Sequence, residues 1–396
     1  MYYDFFKNGK MHEIFSNFDS DQDWGKICNL FPEIESLNEV PQDPKFHAEG
    51  DVGAHTQLVV NNLVKDSEFM LLSEEDKFLM FWTAVFHDIG KLKRTIQEDD
   101  GSITSRGHSK TGASMAREYM RSAGMPFFMR EHMCAIIAAH QVPFWLYERE
   151  TEDQHKKAIK LSLELDPKLL VMHARADARG RICEDKDALL EGVDLCELIF
   201  TDIGAFDKSY KFANPESKVS YFSKFDRHPE YEAFEDYSCN VTVMSGLPGS
   251  GKDTWIKSNK PELPVVSLDD IRKELKVSPT SNQGVVIQKA YEDAREYLRQ
   301  KQDFIWNTTN ITSEMRSKII RLLRDYNARI SIVYIEVSKE DLLRQNSSRK
   351  DVVCEKVIGE LVRKLEPPKD WEAHEVVRVI TQSANLRKYK APMNGY

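Results

Sequence analysis

Hydrophobic residues recur at two different spacings along the chain, and the change in spacing divides it into two parts. Between His55 and about residue 200, apolar side chains return every three or four positions, which is typical of α-helices with a buried face. The clearest of these helices starts near Phe78 and runs into His87-Asp88-Ile89-Gly90-Lys91. Further helices are predicted at 111–122, 127–140, 155–165 and 168–178. Because no alternating strand pattern interrupts this stretch, we expect an α-helical domain.

The second part alternates short apolar runs with helical segments. Strands are predicted at 240–245, 265–268, 304–307, 330–337 and 376–380. Residues 284–301, between two of these strands, carry apolar side chains at helical spacing. This alternation predicts a parallel sheet covered on both faces, with ligands at the carboxyl ends of its strands.

A segment without clear periodicity connects the two parts. Residues 203–238 mix aromatic, charged and proline side chains, so this segment is either an ordered strap or the boundary itself. We place the boundary near 225–238, which gives an N-terminal domain at 1–230 and a C-terminal domain at 231–396.

The composition of the 396-residue chain limits the classes of function. A net charge of −9 argues against indiscriminate binding of DNA, although it leaves room for a local basic groove. The six cysteines include no C-x-x-C pair, so neither a zinc ribbon nor a dithiol redox motif is predicted. The first residues lack the features of a signal peptide, and no apolar run approaches the length of a membrane span. We therefore expect a cytoplasmic protein without a membrane partner.

The first predicted strand of the second part leads into a glycine-rich turn. Residues 246–252 fit the first three fixed positions of the phosphate-binding pattern G-x-x-x-x-G-K-[ST]. Backbone N–H groups of such a loop, together with the N-terminus of the next helix, bind phosphate, and the lysine reaches the outer phosphates. We therefore predict a site for ATP or another NTP. Its predicted contacts are Gly246, Pro248, Gly249, Ser250, Gly251, Lys252, Asp253 and Thr254.

Asp253 occupies the position at which a Ser or Thr hydroxyl normally binds Mg²⁺. Its carboxylate could hold the ion directly or through water, which would make Asp253 a metal ligand. Alternatively, it turns away from the ion and caps or salt-bridges the helix behind the loop.

Two further groups of polar residues are candidates for the second domain's chemistry. Asp269 and Arg272 follow the second strand, where Asp269 could accept the proton of an attacking hydroxyl and Arg272 could grip an acceptor phosphate. Alternatively, Asp269 caps a helix. The basic, serine-rich segment from Arg344 to Lys350 is either a lid over the donor phosphates or a solvated helix end.

In the helical domain, histidines and aspartates concentrate near predicted helix ends. These residues are His55, His87, Asp88, His108, His140 and Asp177. Imidazole and carboxylate ligands suit transition metals such as Mn, Co, Ni or Zn, and a bound ion makes hydroxide available at neutral pH. His173 lies one turn before Asp177, where a structural role is expected rather than an accessory one. We expect surface or packing roles for His12, His132, His155, His228 and His374.

Several motifs of the first domain resemble the HD phosphohydrolase domain of bacterial CCA-adding enzymes. The resemblance covers about residues 30–185 and is carried by residues 31–34, 41–52, 55–56, 86–91, 107–109 and 174–180. It implies a primary metal held by His55, His87, Asp88 and Asp177. It also implies a second metal at His108 and His140, a phosphate contact from Lys91, and hydrolysis of phosphomonoesters or phosphodiesters.

The second domain resembles bacteriophage and bacterial 5′-OH polynucleotide kinases over about residues 240–380. The matching motifs lie at 246–255, 267–272, 306–310 and 346–349. The resemblance implies that Asp269 is the general base, that Arg272 binds the acceptor's phosphate, and that Arg349 contacts the donor phosphates. Gln345 stands where relatives often have a second lid arginine, a role we assign to the neighbouring Arg344. Asn310 matches a position with a role near the acceptor.

An α-helical HD domain followed by an α/β P-loop kinase domain resembles the bacterial HD-Pnk enzymes that heal RNA ends. The resemblance implies phosphorylation of 5′-OH ends from an NTP with Mg²⁺, and metal-dependent removal of 2′-phosphate or 2′,3′-cyclic phosphate. RNA or DNA ends would be the substrates, and a separate RNA ligase is implied because no K-x-D-G motif is present. Two alternatives stay open: a small-molecule nucleotide hydrolase fused to a nucleoside kinase, and a regulator whose HD domain senses nucleotides without turnover.

Overall fold

The computed structural model describes residues 9–19, 23–223, 227–278, 281–349 and 351–381. The chain divides into two compact units, one ending at Tyr210 and the other beginning at Lys211. In these described residues, no helix is both long and apolar enough to cross a membrane.

The first unit is built from helices. They are α1 (Lys10–Ser16), α2 (Trp24–Leu30), α3 (Pro32–Glu35), α4 (Val52–Val64), α5 (Ser67–Leu71), α6 (Glu74–Phe86), α7 (Lys91–Arg94), α8 (His108–Ser122), α9 (Phe127–Ala139), α10 (Val142–Trp145), α11 (Thr151–Ser162), α12 (Pro167–Gly180) and α13 (Lys186–Asp202). Several begin at the expected polar caps: Asp51 accepts from Ala54 N at the start of α4, and Asp166 accepts from Lys168 N at the start of α12. The predicted helical domain is confirmed, with ends displaced by a few residues.

Helix α6 lies at the centre of this unit. All residues from Phe78 to Phe86 are buried, including those outside the predicted apolar face. A helix that is apolar on every side is surrounded by other helices. Its C-terminal end therefore delivers His87 and Asp88 directly into the interior.

A small hairpin corrects the prediction that the first part contains no strand. Strands β1 (Ile96–Gln97) and β2 (Ile103–Thr104) pair antiparallel around a turn. Each strand is two residues long, which is too short to produce an alternating pattern in the sequence.

The second unit contains a five-stranded parallel sheet, as predicted. Its strands are β3 (Cys239–Ser245), β4 (Val265–Ser267), β5 (Phe304–Asn307), β6 (Ala328–Val337) and β7 (Glu375–Thr381), in the spatial order β4-β5-β3-β6-β7. The helices of the unit are α14 (Pro215–Ser223), α15 (Lys252–Asn259), α16 (Leu268–Leu275), α17 (Gly284–Arg299), α18 (Ser313–Asp325), α19 (Lys339–Ser347) and α20 (Glu355–Arg363). Strand β3 is central, so the loop that follows it opens at the middle of the sheet's carboxyl edge.

Helix α14 falls within the segment that showed no periodicity, and it packs as part of the second unit. The Glu216 carboxylate accepts from Arg324 at 2.6 and 2.7 Å and from Ser220 Oγ at 2.6 Å. His374 Nε2 lies 2.9 Å from the same carboxylate, while His374 Nδ1 accepts from Ile330 N. The described part of this segment that forms α14 is therefore an ordered strap, and His374 has the packing role expected for it.

We predict that Glu216→Gln destabilises the second unit by about 3 kcal/mol at pH 7, because the Arg324 guanidinium would lose its carboxylate partner. These contacts hold the pKa of Glu216, despite its burial, below its ordinary value of 4.5. A lowered pKa contributes stability above the unfolded-state pKa, and this contribution is lost as the pH falls. The difference between wild type and variant should therefore shrink in urea titrations below about pH 4.5. Glu230→Gln, at an exposed carboxylate, is the matched control and should change little.

Candidate active sites

A close backbone contact brings the end of α6 against the start of α8. A Cβ atom on Gly90 would lie 2.0 Å from His108 O and 2.5 Å from Gly112 N. A larger residue at position 90 would therefore push the two segments apart. The glycine in His87-Asp88-Ile89-Gly90-Lys91 allows His87, Asp88 and His108 to meet in one buried cluster.

Asp88 lies at the centre of the cluster, and its two oxygens face different histidines. Oδ2 lies 3.4 Å from His87 Nε2 and 3.9 Å from His55 Nε2. Oδ1 lies 3.1 Å from His108 Nε2 and 3.7 Å from His140 Nε2. The carboxylate is thus placed between two pairs of imidazoles, as a ligand bridging two metal ions would be.

Asp177 completes one of three potential ligand groups among the described residues, the third being His47–Glu49–His55. Its Oδ1 lies 3.1 Å from His55 Nε2, and both of its oxygens accept from Arg181. Within the groups His55–His87–Asp177 and Asp88–His108–His140, the ligand atoms lie within 4.8 Å of one another. All six predicted metal ligands are therefore brought together. The grouping differs from the expected one in that Asp88, assigned to the first metal, lies in the group of His108 and His140.

The hydrogen bonds of the histidines orient their rings toward the cluster. In three of them Nδ1 lies 2.8 Å from a backbone carbonyl three residues earlier: His87 with Ala84, His108 with Ser105, and His140 with Ile137. Because a carbonyl only accepts, Nδ1 carries the proton, and Nε2 of the neutral ring presents a lone pair. His87 Nε2 and Asp88 Oδ1 are buried and have no hydrogen-bond partner among the described residues. This donor set fits a metal ion.

The charge states of the cluster also fit metal binding. Burial opposes the ionisation of Asp88 and Asp177, but Lys91 and Arg181 respectively help to hold their pKa values well below the ordinary range. Burial and the neighbouring His108 keep the pKa of His140 well below 6.5. Ionised carboxylates and a neutral His140 are the forms that bind metals. His55 differs, because its burial is outweighed by the carboxylates of Asp177 and Glu49, which raise its pKa above 6.5.

Glu49 is a site residue that sequence reasoning did not single out. Its Oε1 lies 2.9 Å from His55 Nδ1 and 2.7 Å from His47 Nδ1, and its Oε2 accepts from Ile182 N. It therefore orients the His55 ring from behind. In the sequence, Glu49 is marked only by its place in the matching stretch 41–52. Its pairing with His55 is made by the fold and cannot be read from the sequence.

His173 is buried beside His87 and His140, with ring centroids 5.2 and 6.0 Å away. Burial lowers its pKa to about 3, so the ring is neutral. It belongs to none of the three-residue ligand groups, which agrees with the structural role expected for it.

A cavity of about 360 Å³ adjoins the cluster. His108, Lys91 and Arg181 are among its lining residues. Lys91 Nζ lies 2.7 Å from both Asp88 Oδ2 and Gln42 Oε1, so its ammonium group stands between the cluster and the cavity. This is the position required for the predicted phosphate contact.

The predicted nucleotide loop connects β3 to α15. Gly246, Gly249 and Gly251 have positive φ values, which other residues rarely adopt, and Pro248 and Ser250 lie between them. Lys252 Nζ donates to Gly246 O at 2.9 Å and to Leu247 O at 3.0 Å. Burial lowers the pKa of Lys252 to about 8. The loop has the curled form and the lysine that phosphate binding requires.

Asp253 and Thr254 lie in the exposed first turn of α15. Asp253 Oδ1 accepts from Asn307 Nδ2 at 2.7 Å, so the carboxylate is tethered to the end of β5. Asn307 Oδ1 is buried and has no hydrogen-bond partner among the described residues. This pairing joins two oxygen-bearing side chains at the carboxyl edge of the sheet, and Asn307 had no assigned role in the sequence interpretation.

Asp269 and Arg272 lie in the same helix, α16, and form an ion pair. Arg272 Nε also donates to Gln283 Oε1 at 2.6 Å. Ser267, not Asp269, accepts from Asp270 N at the start of α16, so the alternative of Asp269 as the helix cap is wrong. The carboxylate of Asp269 is partly exposed, and its charge acts on Lys252.

The segment predicted as a lid begins in α19 and packs against the nucleotide loop. Asn346 N lies 3.4 Å from the position of a Cβ on Gly249, and Gln345 Oε1 lies 4.0 Å from that on Gly251. The charge of Arg349 also acts on Lys252. Arg344 instead pairs with Asp341 and is largely exposed, so Gln345 is the side chain directed toward the loop. Lys350 lies outside the described residues.

Asn310 is hydrogen-bonded to the end of β3, where the nucleotide loop begins. Its buried Nδ2 donates to Met244 O at 2.9 Å, while its own carbonyl accepts from Ser245 Oγ and from Arg316. Gly246 N donates to Thr309 O at 2.9 Å. The side chain that was expected near the acceptor is therefore bonded to the backbone of β3.

Comparisons with known proteins address each unit separately. Residues 52–174 match the HD domain family, and residues 241–368 match an AAA domain family. The first match lies within the helical unit and the second spans the nucleotide loop and most of the parallel sheet. The nucleotide and Mg²⁺ are implied by the second domain, and a metal is implied by the first.

Curated relatives match over the HD region. A multifunctional CCA protein of Actinobacillus pleuropneumoniae is 27% identical over 161 residues, which are 40% of this chain and 38% of that protein. One from Psychromonas ingrahamii is 31% identical over 119 residues, 30% of this chain and 26% of that protein. This chain therefore spans well under half the length of these relatives. A solved chain from Chloroflexus aurantiacus, provisionally assigned as a kinase, has 15% identity and a TM-score of 0.32, covering 36% of this chain and 86% of its own.

We predict that Glu49→Gln weakens binding of a divalent transition metal by about 10- to 100-fold, because His55 loses the anionic partner that orients its ring. Competition with a metal-binding dye measures this affinity directly and does not depend on catalysis. Glu68→Gln, an exposed substitution on α5, is the control and should bind as wild type does. Equal affinity in wild type and Glu49→Gln would show that Glu49 does not support the metal ligand.

Proposed function

We propose that this protein is a bifunctional enzyme that heals broken RNA ends. Its second unit phosphorylates 5′-OH ends from ATP or another NTP with Mg²⁺, and its first unit removes 2′-phosphate or 2′,3′-cyclic phosphate. The observation that carries the proposal is the presence of both sites in one chain. Asp88 lies between two histidine–carboxylate groups, and Asp269 with Arg272 lies near Lys252 on the nucleotide loop.

The hydrolytic half of the proposal is supported by the buried cluster and the cations beside it. His55, His87, Asp88 and Asp177 would hold one ion, with His108 and His140 holding a second. A transition metal such as Mn, Co, Ni or Zn, when bound, lowers the pKa of its water. Lys91 would neutralise the substrate phosphate at the cavity wall and position its phosphorus over the cluster.

The kinase half follows from the residues at the carboxyl edge of the sheet. The 5′-hydroxyl oxygen forms a bond to the γ-phosphorus while the bond from that phosphorus to the β–γ bridging oxygen breaks, which releases NDP. Asp269 takes the hydroxyl proton, and Arg272 holds the acceptor's phosphate. Lys252 and Arg349 stabilise the charge on the donor phosphates.

The two activities together make ends that can be joined. Cleavage of RNA through its own 2′-OH leaves a 2′,3′-cyclic phosphate and a 5′-OH, and both must be changed before ligation. We infer that a separate RNA ligase uses the healed ends. A nucleotide hydrolase fused to a nucleoside kinase would use the same residues, but it would process mononucleotides as well as it processes oligomers.

We predict that Lys252→Ala and Asp269→Asn each reduce 5′-phosphorylation by at least about 100-fold. Lys252→Ala removes a group that stabilises the donor phosphates, and Asp269→Asn removes the general base. His87→Ala and Asp88→Ala should instead abolish phosphate release from the 2′ position. Each substitution should leave the activity of the other unit close to that of wild type.

A single substrate measures both reactions: an RNA oligomer that carries a 5′-OH and a terminal 2′-phosphate, with the two ends labelled differently. Adenosine and adenosine 2′-monophosphate, at equal concentration, serve as short substrates. If the short substrates react as fast as the oligomer, the small-molecule alternative replaces our proposal. If no end changes with any divalent metal, the regulatory alternative replaces it.

A separate prediction concerns Asp253, which we propose binds Mg²⁺ through water while Asn307 holds its carboxylate. Asp253→Ser should retain substantial kinase activity but require a different Mg²⁺ concentration, because a hydroxyl replaces the carboxylate. Asn307→Ala keeps the carboxylate and removes only its tether, so it should shift the midpoint less. The measurement is the kinase rate against Mg²⁺ at fixed NTP. Unchanged midpoints in Asp253→Ser and Asp253→Asn would exclude the metal role.

A further inference from the structure

The cavity beside the histidine cluster has a wall that hydrolysis of a phosphate alone does not require. Three segments of the first unit surround it: residues 42–47, 103–108 and 141–145, with further contributions from 181–189. The first and third of these segments each place an aromatic ring in the lining, Phe46 and Trp145. The cavity is thus polar where it meets the cluster and aromatic at its sides.

These two rings are more exposed than other large aromatic side chains of the same unit. Phe46 is 43% and Trp145 is 47% exposed, whereas Trp82 and Phe86 in the same unit are fully buried. Large apolar surface left open in a cavity favours a ligand that covers it. Lys45 Nζ lies 5.2 Å from the centroid of the Phe46 ring, so an ammonium group already contacts that ring.

The remaining lining residues determine the charge of the ligand. Lys91, Arg106 and Arg181 provide three cations, and Asp43 and Asp185 provide two carboxylates. Lys91 and Arg181 are the cations that contact residues of the metal cluster, and the Arg181 guanidinium lies 4.8 Å from the centroid of the Phe144 ring. Arg181 is also fixed by Asp177, a residue of the metal cluster. An anionic group would therefore be drawn to the end of the cavity at which the cluster lies.

We propose that this cavity binds the terminal nucleoside of the substrate, with its base stacked on Trp145 and Phe46 and its phosphate beside Lys91. The volume of about 360 Å³ suits one nucleotide unit, since pockets for small organic ligands start at about 300 Å³. Stacking is tolerant of sequence because every base has a π-face. This inference rests on the proposed phosphohydrolase function, for which it names the side chains that bind the base of the terminal nucleoside.

Trp145→Ala in the full-length protein tests the inference. Hydrolysis of a nucleoside 2′-monophosphate is compared with hydrolysis of p-nitrophenyl phosphate, and ribose 5-phosphate is used as a competitor that lacks a base. We expect the KM for the nucleotide to rise by about 5- to 100-fold, the loss of one stacked base, with little change in kcat. Inhibition by ribose 5-phosphate should be unaffected. Leu71→Ala, at an exposed apolar residue on α5, is the matched control.

A binding measurement separates this inference from the proposed function. Calorimetric titration of adenosine 2′-monophosphate into the metal-loaded protein is carried out in a Lys252→Ala background, which removes the nucleotide loop as a competing site. Weaker binding on Trp145→Ala, without weaker binding of inorganic phosphate, supports the inference even if hydrolysis fails. Unchanged binding of the nucleotide, or an equal loss for nucleotide and phosphate, overturns it. Absence of all hydrolysis in wild type counts against the proposed function alone.

Discussion

The buried negative charge of Asp88 is the constraint on which the first unit depends. A carboxylate in the interior is tolerated only when cations and hydrogen-bond donors surround it. Lys91 lies 2.7 Å from its Oδ2, and four histidines approach its two oxygens from different parts of the chain. The helices that carry these groups must therefore converge on one point. The close contact at Gly90 is part of that convergence, since it brings α8 against the end of α6.

This arrangement connects folding to metal binding. His87 Nε2 and Asp88 Oδ1 are buried polar atoms without a hydrogen-bond partner among the described residues, and such atoms reduce the stability of the fold. His87 and Asp88 would hold a metal ion through these atoms, and the binding free energy of that ion would add to the stability of the folded state. Without a metal, these two atoms, unpartnered among the described residues, lower the stability of the fold. The same two atoms would be the ligands of a bound metal. Glu49 lies on the other side of the His55 ring, with its Oε1 2.9 Å from His55 Nδ1.

Much of the fold and of the site could be predicted from the sequence, for identifiable reasons. Strands β3, β5 and β6 were predictable because they are mostly buried and appear as apolar runs. His87 and Asp88 were predictable as candidate ligands because both are adjacent in the sequence. By contrast, Glu49 with His55 and Asn307 with Asp253 are pairs made by the fold, and no local pattern marks them. Helix α14 was missed because polar Glu216 and Ser220 lie on its buried face, where Arg324 satisfies them.

In the second unit, side chains that we propose to act on substrates already form bonds within the protein. Lys252 donates to two carbonyls of its own loop, and the Asp269 carboxylate is paired with Arg272. A donor nucleotide offers Lys252 phosphate oxygens, which are stronger acceptors than carbonyls. An acceptor that carries a phosphate next to its hydroxyl would engage Arg272 in the same way, leaving Asp269 available as a base. An acceptor without that phosphate leaves the ion pair intact. In the function we propose, the Asp269–Arg272 pair would therefore give the second unit a physical reason to prefer a polynucleotide end to a free nucleoside.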